Sequence, residues 1–248
     1  MTLAPVEVGR STKNAVEKIK YSRDLRLFKS LREAEKSDYE ARKKQSIQDK
    51  FIETLQLSAF GKKFYGKFHR IEELDESFNF LKELLFDVPK YAIVGAIASN
   101  LWGVPRFTKD IEVLVALSEK VLEKILIVAN SFNFGVKRVP ETDPDLIRFF
   151  KQGVEFVDII IAKELDYFET VLDRAVTVES PYGNLKFASA EDIIILKLIA
   201  GRLIDMADIE RILRVRDDVD MEYVRYWAHK WGTEQKLDEI LKIVESER

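Results

Sequence analysis

The sequence predicts an α/β (α+β) fold, with a mixed β-sheet extended by helices on both sides. Charged segments with apolar residues at helical spacing fill the first 85 residues, and short β-branched runs begin only at Tyr91. Charged helical patterns return towards the end of the chain. Strands and helices that alternate along a chain indicate a sheet with helices packed against it. We therefore expect a helical N-terminal extension over 1–86, a sheet-containing core over 87–165, and a hairpin followed by helices over 166–248.

The composition excludes several kinds of site. The chain has 248 residues, 46% of them hydrophobic and 33% charged, with a net charge of −3. This is enough for one large domain or two small ones. The absence of cysteine excludes disulfides, thiolate nucleophiles and Cys-ligated zinc, and two histidines, His69 and His229, argue against a His-rich metal site. The first residues lack the apolar core of a signal peptide and no run is long enough to span a membrane, so we expect a cytoplasmic protein.

The positive charge is concentrated in one segment. Residues 41–70 contain eight Lys or Arg against two acidic residues, with Phe64, Tyr65 and Phe68 among them. Lysines with interleaved aromatic residues suit RNA, through phosphate contacts and base stacking. A solvated helical face is the commoner explanation of such a pattern.

The first elements are indicated by local patterns. The spacing of Phe51, Ile52 and Leu55 predicts a helix before the sheet. "YAIVG" then predicts a short buried strand that ends at Gly95, and "AIASNLWG" a short helix closed by Gly103.

The next elements complete the sheet. "DIEVLVAL" predicts a strand, and Ser118 begins a helix that reaches about Phe132. "LIRFF", "VEFVDIII" and the hairpin pair "AVTVES" and "NLKF" predict further strands. Ser189 then caps a helix that continues through Lys197.

Acidic residues occupy costly positions in two of these strands. Side chains alternate along a strand, so Asp110 and Glu112 point the same way and repel each other. Asp158 is a further acid within an apolar strand, and Glu155 lies on the opposite face from it. A bound divalent cation would explain all three placements, because it supplies the missing opposite charge. Exposed strand edges are the alternative explanation.

The segment between the first two strands suits a phosphate. Gly95 permits close approach of a ligand to the backbone, and the helix that follows presents free N–H groups to an anion. The order strand, glycine, helix, loop, strand with acids at its start thus indicates a phosphate-and-metal site.

On these residues the chain resembles the nucleotidyltransferase superfamily, which shares the fold of DNA polymerase β. In "IVGAIASNLWGVPRFTKDIEVLV", Gly95 and Ala96 take the paired small positions of the signature, and "DIEV" supplies its two acids. The run "RFTKD" is typical of the small prokaryotic branch, which includes minimal nucleotidyltransferases and abortive-infection toxins. "AEDIIILKLIAGRLIDMADIERIL" resembles the second conserved block of that branch. The resemblance covers roughly residues 88–215.

The resemblance implies a catalytic core over 87–165 that uses Mg²⁺ (or Mn²⁺) and an NTP. It implies that an acceptor hydroxyl attacks the α-phosphorus of the NTP with loss of pyrophosphate. The catalytic and metal-binding residues would be Asp110, Glu112 and Asp158. The nucleotide-binding residues would be Gly95, Ala96, Arg106, Thr108, Lys197 and Asp205.

Two departures from the family pattern leave a second function open. Ala96 stands where Gly or Ser is usual, and Glu112 stands where the branch more often has Asp. The main hypothesis is transfer of a nucleoside monophosphate to RNA or tRNA, with protein or small-molecule acceptors and an antitoxin-like protein partner as further options. The alternative is a catalytically silent nucleotide- or RNA-binding module. Carboxyls that meet within about 5 Å of a common point favour the enzyme, whereas carboxyls paired with arginines favour the module.

Several of these residues also have purely structural interpretations. Lys197 could extend its amine from a half-buried helix to solvent. Asp205 and Asp208 could pair with Arg202 and Arg211 on a solvated helix. Arg106 and Thr108 could cap a strand. The three tryptophans, Trp102, Trp227 and Trp231, are expected to be core or packing residues.

Overall fold

The computed structural model describes residues 33–65, 71–108, 110–116, 118–139, 146–151, 154–162 and 166–246. The chain divides into two compact units, residues 1–43 and 44–248. The first unit contains a helix over residues 33–43, α1. All other described elements belong to the second unit.

The second unit contains a succession of strands and helices. The helices are α2 (Ile47–Tyr65), α3 (Ile71–Leu85), α4 (Gly95–Trp102), α5 (Glu119–Ser131), α6 (Asp166–Asp173), α7 (Ala190–Ala200), α8 (Leu203–Val215), α9 (Met221–Lys230) and α10 (Glu234–Ser246). The strands are β1 (Tyr91–Val94), β2 (Ile111–Ala116), β3 (Gly135–Val139), β4 (Leu146–Lys151), β5 (Val154–Ala162), β6 (Val176–Ser180) and β7 (Gly183–Phe187).

The strands form one mixed sheet in the order β3-β4-β5-β2-β1-β7-β6. Strand β2 pairs with β5 in parallel, and β1 pairs with β7 in parallel. The other neighbouring pairs are antiparallel. The predicted mixed α/β fold class is therefore confirmed.

Aromatic side chains join the early helices to the sheet. Phe80 of α3 lies 5.0 Å, between ring centroids, from Phe149 of β4. Phe51 of α2 lies 5.5 Å from Phe187 of β7. Each ring is fully buried, which is worth about 1.5–3 kcal/mol per side chain. Helices α2 and α3 are consequently part of the same core as the sheet.

Helix ends follow the capping residues that the sequence indicated. The Ser118 hydroxyl accepts a hydrogen bond from the N–H of Val121 at the start of α5. The Ser189 hydroxyl accepts one from the N–H of Asp192 at the start of α7. Helix α7 then runs through Lys197 as predicted and contacts both α8 and α9.

Two elements of the core were absent from the sequence-based prediction. Strand β3 forms the outer edge of the sheet, and α6 lies between β5 and the hairpin. The expectation for the tryptophans is confirmed, since Trp102 is buried while Trp227 and Trp231 pack against the core. In the part of the chain that the structure covers, every helix is too short or too polar to cross a bilayer.

Candidate active site

Three charged side chains form a row across neighbouring strands. In the register of the sheet, Arg148 of β4 is paired with Asp158 of β5, and Asp158 is paired with Glu112 of β2. Side chains at paired positions project from the same face of a sheet. Asp158, at 7% exposure, is largely withdrawn from solvent. The sheet register thus places Glu112 and Asp158 side by side on neighbouring strands.

Asp110 lies at the entrance of β2, just before its first residue. The buried hydroxyl of Thr108 donates a hydrogen bond of 3.1 Å to the Asp110 Oδ1. Burial, followed by the nearby charge of Asp110, raises the pKa of Glu112 above its ordinary value. Thr108 therefore contributes by orienting Asp110, whose charge is close enough to oppose the ionisation of Glu112.

Gly95 is required at the first residue of α4. Its φ of +63° is unfavourable for residues with a side chain, and a Cβ there would overlap the Glu112 carboxylate. The sequence suggested that this glycine admits a ligand to the backbone, and the structure shows that the Glu112 carboxylate itself lies against it. Ala96 follows within the first turn, where the helix dipole favours negative charge.

Lys197 is buried and paired with two aspartates. Its Nζ lies 3.1 Å from the Asp205 Oδ1 and 2.7 Å from the Asp208 Oδ2. At 4% exposure, it does not reach solvent. The interpretation of Lys197 as an amine extended into solvent is wrong, because two buried carboxylates hold it inside the protein.

Asp208 connects the loop before β2 to α8. The guanidinium of Arg106 binds both oxygens of Asp208, through Nε at 2.9 Å and Nη2 at 2.9 Å. Arg211 also donates a hydrogen bond to Asp208, at 3.3 Å. The pairing of Asp208 with Arg211 is confirmed, but the helix face is not solvated, since Asp208 is buried.

Arg202 completes this cluster of charges. Its Nε and Nη2 donate to Asp205 at 2.7 and 3.1 Å, while 64% of its side chain remains exposed. Burial by itself raises the pKa of Asp205 and of Asp208. The hydrogen bonds from Arg202, Arg106 and Lys197 outweigh this effect, so the pKa of each aspartate lies below its ordinary value. Both aspartates are thus held in the charged form.

A cavity of about 320 Å³ opens beside these groups. Glu112, Lys197, Arg202 and Asp205 form its charged wall, next to Gly95. The remaining wall is hydrophobic and consists of Val94, Leu114, Ile160, Phe168, Ile193, Leu196, Ile199 and Ala200. A mainly hydrophobic cavity with a few charged groups suits a ligand with a charged end and an apolar body.

The structure brings together some of the residues named from the sequence and separates others. Gly95, Glu112, Lys197 and Asp205 all line the cavity. The remaining named residues border this group without lining the cavity: Ala96, Arg106, Thr108, Asp110 and Asp158.

Sequence reasoning gave no site role to Arg202 or Arg148. Arg202 could have been noticed because it precedes a helix and lies three residues before Asp205. Arg148 gave a weaker signal, as a single charge within the strand "LIRFF".

The acidic residues form an oxygen-donor set of the kind that Mg²⁺ prefers. Within the described residues, however, no three Asp, Glu, His or Cys side chains are grouped closely enough to hold a metal ion. Arg148 binds both oxygens of Asp158, at 3.0 and 2.9 Å. Asp110 and Glu112 fit as a pair of ligands, because a cation between them would offset the burial and the charge repulsion that raise the pKa of Glu112. Asp158 is already paired with a guanidinium.

The basic segment over 41–70 is described only in part. Residues 66–70, with Phe68, lie outside the described residues, and only the backbone is described for 58–65. Lys50 is buried and Lys44 is exposed. The predicted RNA contacts of Phe64 and Tyr65 therefore stay a prediction.

Three solved structures are among those similar to this chain. An antigenic nucleotidyltransferase-like protein from Paracoccidioides brasiliensis is 16% identical, with a TM-score of 0.44, over 69% of this chain and 93% of its own. The antibiotic-resistance factor ANT(2'')-Ia is 17% identical, with a TM-score of 0.45, over 68% and 95%. A putative nucleotidyltransferase from Thermotoga maritima is 17% identical, with a TM-score of 0.40, over 61% and 99%.

The family relationship comes from the sequence itself. A search of curated proteins finds no significant match. Residues 69–239, more than half of the chain, match the family described as "Nucleotidyltransferase of unknown function (DUF6036)". The matched range includes β1, β2 with Glu112 and β5 with Asp158, and it extends through α7 and α8. The chain therefore belongs to this family of nucleotidyltransferases.

Proposed function

We propose that this protein transfers a nucleoside monophosphate from an NTP to an acceptor hydroxyl, in a reaction that requires Mg²⁺ or Mn²⁺. The observation that carries the proposal is the position of Glu112. It lies beside Asp158 on the sheet, against Gly95 at the start of α4, and in the wall of the cavity. One carboxylate thereby links its acidic neighbour Asp158, a helix N-terminus and a pocket large enough for part of a nucleotide.

The triphosphate would lie at the charged wall of the cavity. The N–H groups at the start of α4, near Ala96, favour an anion. Arg202 is the better placed of the two cations, because most of its side chain is exposed whereas Lys197 is buried between two aspartates. Lys197 and Asp205 would then fix Arg202 and the wall behind the phosphates. The nucleoside would pack against the hydrophobic wall, which includes Phe168.

Asp110 and Glu112 would hold the metal, and Asp158 would join them during the reaction. Bound Mg²⁺ supplies neutralisation of charge on the phosphates. Asp158 would accept the proton of the acceptor hydroxyl, whose oxygen forms a bond to the α-phosphorus. The bond from the α-phosphorus to its bridging oxygen breaks, and pyrophosphate leaves. Arg106 and Thr108 would act by holding the loop before β2 and the Asp110 carboxylate.

RNA, and tRNA in particular, is the acceptor that we propose. The support is the excess positive charge of residues 41–70. We also propose an antitoxin-like protein partner, and the only support for it is the resemblance to toxins of the small prokaryotic branch.

One observation favours a second candidate function. Asp158 is fully paired with Arg148, which is the arrangement expected of a silent binding module of the same fold. Such a module would bind nucleotide in the cavity or RNA on its basic segment, without transfer. Ala96 and Glu112 would then mark positions that no longer serve catalysis.

A labelled-transfer assay separates the two functions. Purified protein is incubated with α-phosphate-labelled ATP, CTP, GTP or UTP, Mg²⁺ and total tRNA. Asp110→Asn is the test variant, and Asp87→Asn, an exposed aspartate outside the site, is the matched control. Label on RNA in the wild type and in the control, but not in Asp110→Asn, is the expected result. Absence of label with all four nucleotides, while nucleotide still binds, would replace the enzyme with the binding module.

A further inference from the structure

Arg148 occupies both carboxylate oxygens of the third acidic residue. Its Nε lies 3.0 Å from the Asp158 Oδ1, and its Nη2 lies 2.9 Å from the Asp158 Oδ2. The two residues are paired in the register of β4 and β5, so the sheet places the Arg148 guanidinium next to the Asp158 carboxylate. Two parallel N–H···O bonds of this kind are among the stronger hydrogen bonds in proteins.

Glu112, one strand further along, is in the opposite situation. In the described part of the chain, its carboxylate has no hydrogen bond or ion pair, although Arg202 and Lys197 act on it electrostatically. Two acids at paired positions are thus treated differently by the protein. The Glu112 carboxylate is available to bind a cation, whereas the Asp158 carboxylate is already paired with the Arg148 guanidinium.

A divalent ion that reaches Asp158 must compete with this guanidinium. The ion needs an Asp158 oxygen to which Arg148 is already hydrogen-bonded. The ion is also repelled by the Arg148 charge, which lies one strand spacing away, about 5 Å. Phosphate groups of a nucleotide or acceptor would offer Arg148 another anion to bind.

We propose that Arg148 is a latch that withholds Asp158 from the metal until a phosphate-bearing substrate draws the guanidinium away. The inference rests on the proposed function, because it assumes that Asp110, Glu112 and Asp158 form the metal site. In the nucleotide-free protein, the metal is therefore bound weakly by Asp110 and Glu112. The complete site forms only together with substrate.

The test is a titration of the full chain with Mn²⁺ in the absence of nucleotide, in which free Mn²⁺ is measured by electron paramagnetic resonance. Arg148→Met should bind Mn²⁺ about tenfold more tightly than the wild type, because it removes both the competing donor and the nearby charge. The double variant Arg148→Met with Asp158→Asn should lose that gain. Lys137→Met is the matched control, since Lys137 is paired with Arg148 in the register one strand further out.

Each outcome bears on the latch. Unchanged or weaker Mn²⁺ binding in Arg148→Met would show that the ion pair is purely structural. The same conclusion would follow if the double variant still bound Mn²⁺ more tightly than the wild type. It would also follow if Lys137→Met increased Mn²⁺ affinity as much as Arg148→Met. If Arg148→Met does not fold, Arg148→Lys decides, because it keeps the charge but loses the fork and should still bind Mn²⁺ about threefold more tightly.

A second titration with a non-hydrolysable ATP analogue separates the latch from the proposed function. If the wild type binds Mn²⁺ with the analogue but Arg148→Met gains nothing without it, only the latch fails. If no variant binds Mn²⁺ with or without the analogue, the metal-dependent function fails, and the latch fails with it.

Discussion

Gly95 and Glu112 share one small volume at the start of α4. We expect Gly95→Ala to displace the Glu112 carboxylate and to abolish nucleotide binding, because the added Cβ overlaps that carboxylate. Gly232→Ala is the matched control, with a φ of +65° and no atom within 4 Å of the added Cβ. Both variants carry backbone strain of about 1–2 kcal/mol. Gly95→Ala should lose clearly more stability in urea unfolding.

Equal losses of stability in the two glycine variants would count against this description of Gly95. So would nucleotide binding that persists in Gly95→Ala, measured by calorimetry.

Burial of the Glu112 charge should make stability depend on pH. Burial and the charge of Asp110 raise its folded-state pKa above the ordinary 4.5. The native state then holds more protons than the unfolded state in the window above pH 4.5, so its contribution to stability falls as the pH rises through that window. Glu112→Gln removes this loss. We expect its unfolding free energy, measured without metal, to exceed that of the wild type increasingly from pH 4.5 upwards.

Glu245→Gln, at an exposed position on α10, is the control for the loss of a surface charge. A difference between Glu112→Gln and the wild type that is constant with pH would refute the linkage.

Single residues also show what sequence can predict about the site. Asp110, Glu112 and Asp158 could be named as candidates because strand alternation and a short signature are local features of the chain. The partnership of Arg148 with Asp158 depends on the register of two antiparallel strands, and that of Arg106 with Asp208 joins residues 102 positions apart. Such pairs depend on tertiary packing, which no local pattern specifies.

Between elements, Asp208 holds the loop before β2 to α8 and to Lys197 of α7. We expect Asp208→Asn to destabilise the protein by about 3 kcal/mol, because it removes one of the two counter-charges of buried Lys197 and the counter-charge of half-buried Arg106. Asp218→Asn is the matched control: its pair with Arg216 is exposed, and such pairs contribute at most about 1 kcal/mol. Chemical denaturation at pH 7 measures both variants.

The same carboxylate predicts sensitivity to acid. The folded-state pKa of Asp208 lies below its ordinary value, so its stabilising contribution is present above pH 3.8 and is lost as the pH falls through the folded-state pKa.

A loss of unfolding free energy in Asp208→Asn no larger than that in Asp218→Asn would show that the cluster does not join these elements.

Elements with strong local signals were predicted, and weaker ones were not. The strands β1, β2, β4 and β5 are predominantly apolar and β-branched or aromatic, and Ser118 and Ser189 mark helix starts. Strand β3 reads "GVKRV", with two adjacent basic residues, because an edge strand is buried on fewer sides. The pairing order of the sheet could not be predicted, since it depends on contacts between distant segments.

At the scale of the whole molecule, the cavity is where the sheet, α6, α7 and the start of α8 meet. We expect Leu196→Trp to fill it and to weaken NTP binding at least about tenfold, since a pocket ligand must bury most of its surface. Ile243→Trp, on an exposed face of α10, is the control. Equilibrium binding of a fluorescent ATP analogue measures both, and unchanged binding in Leu196→Trp would place the nucleotide elsewhere.

The central claim is that the acidic residues Asp110, Glu112 and Asp158 form one nucleotide site together with this cavity. A crystal structure with Mn²⁺ and a non-hydrolysable ATP analogue, with Mn²⁺ located by its anomalous signal, tests it most directly. The account predicts Mn²⁺ bound to Asp110 and Glu112, with phosphates beside Gly95 and Arg202. An analogue bound away from the cavity, or in the cavity without Mn²⁺ at these carboxylates, would contradict it.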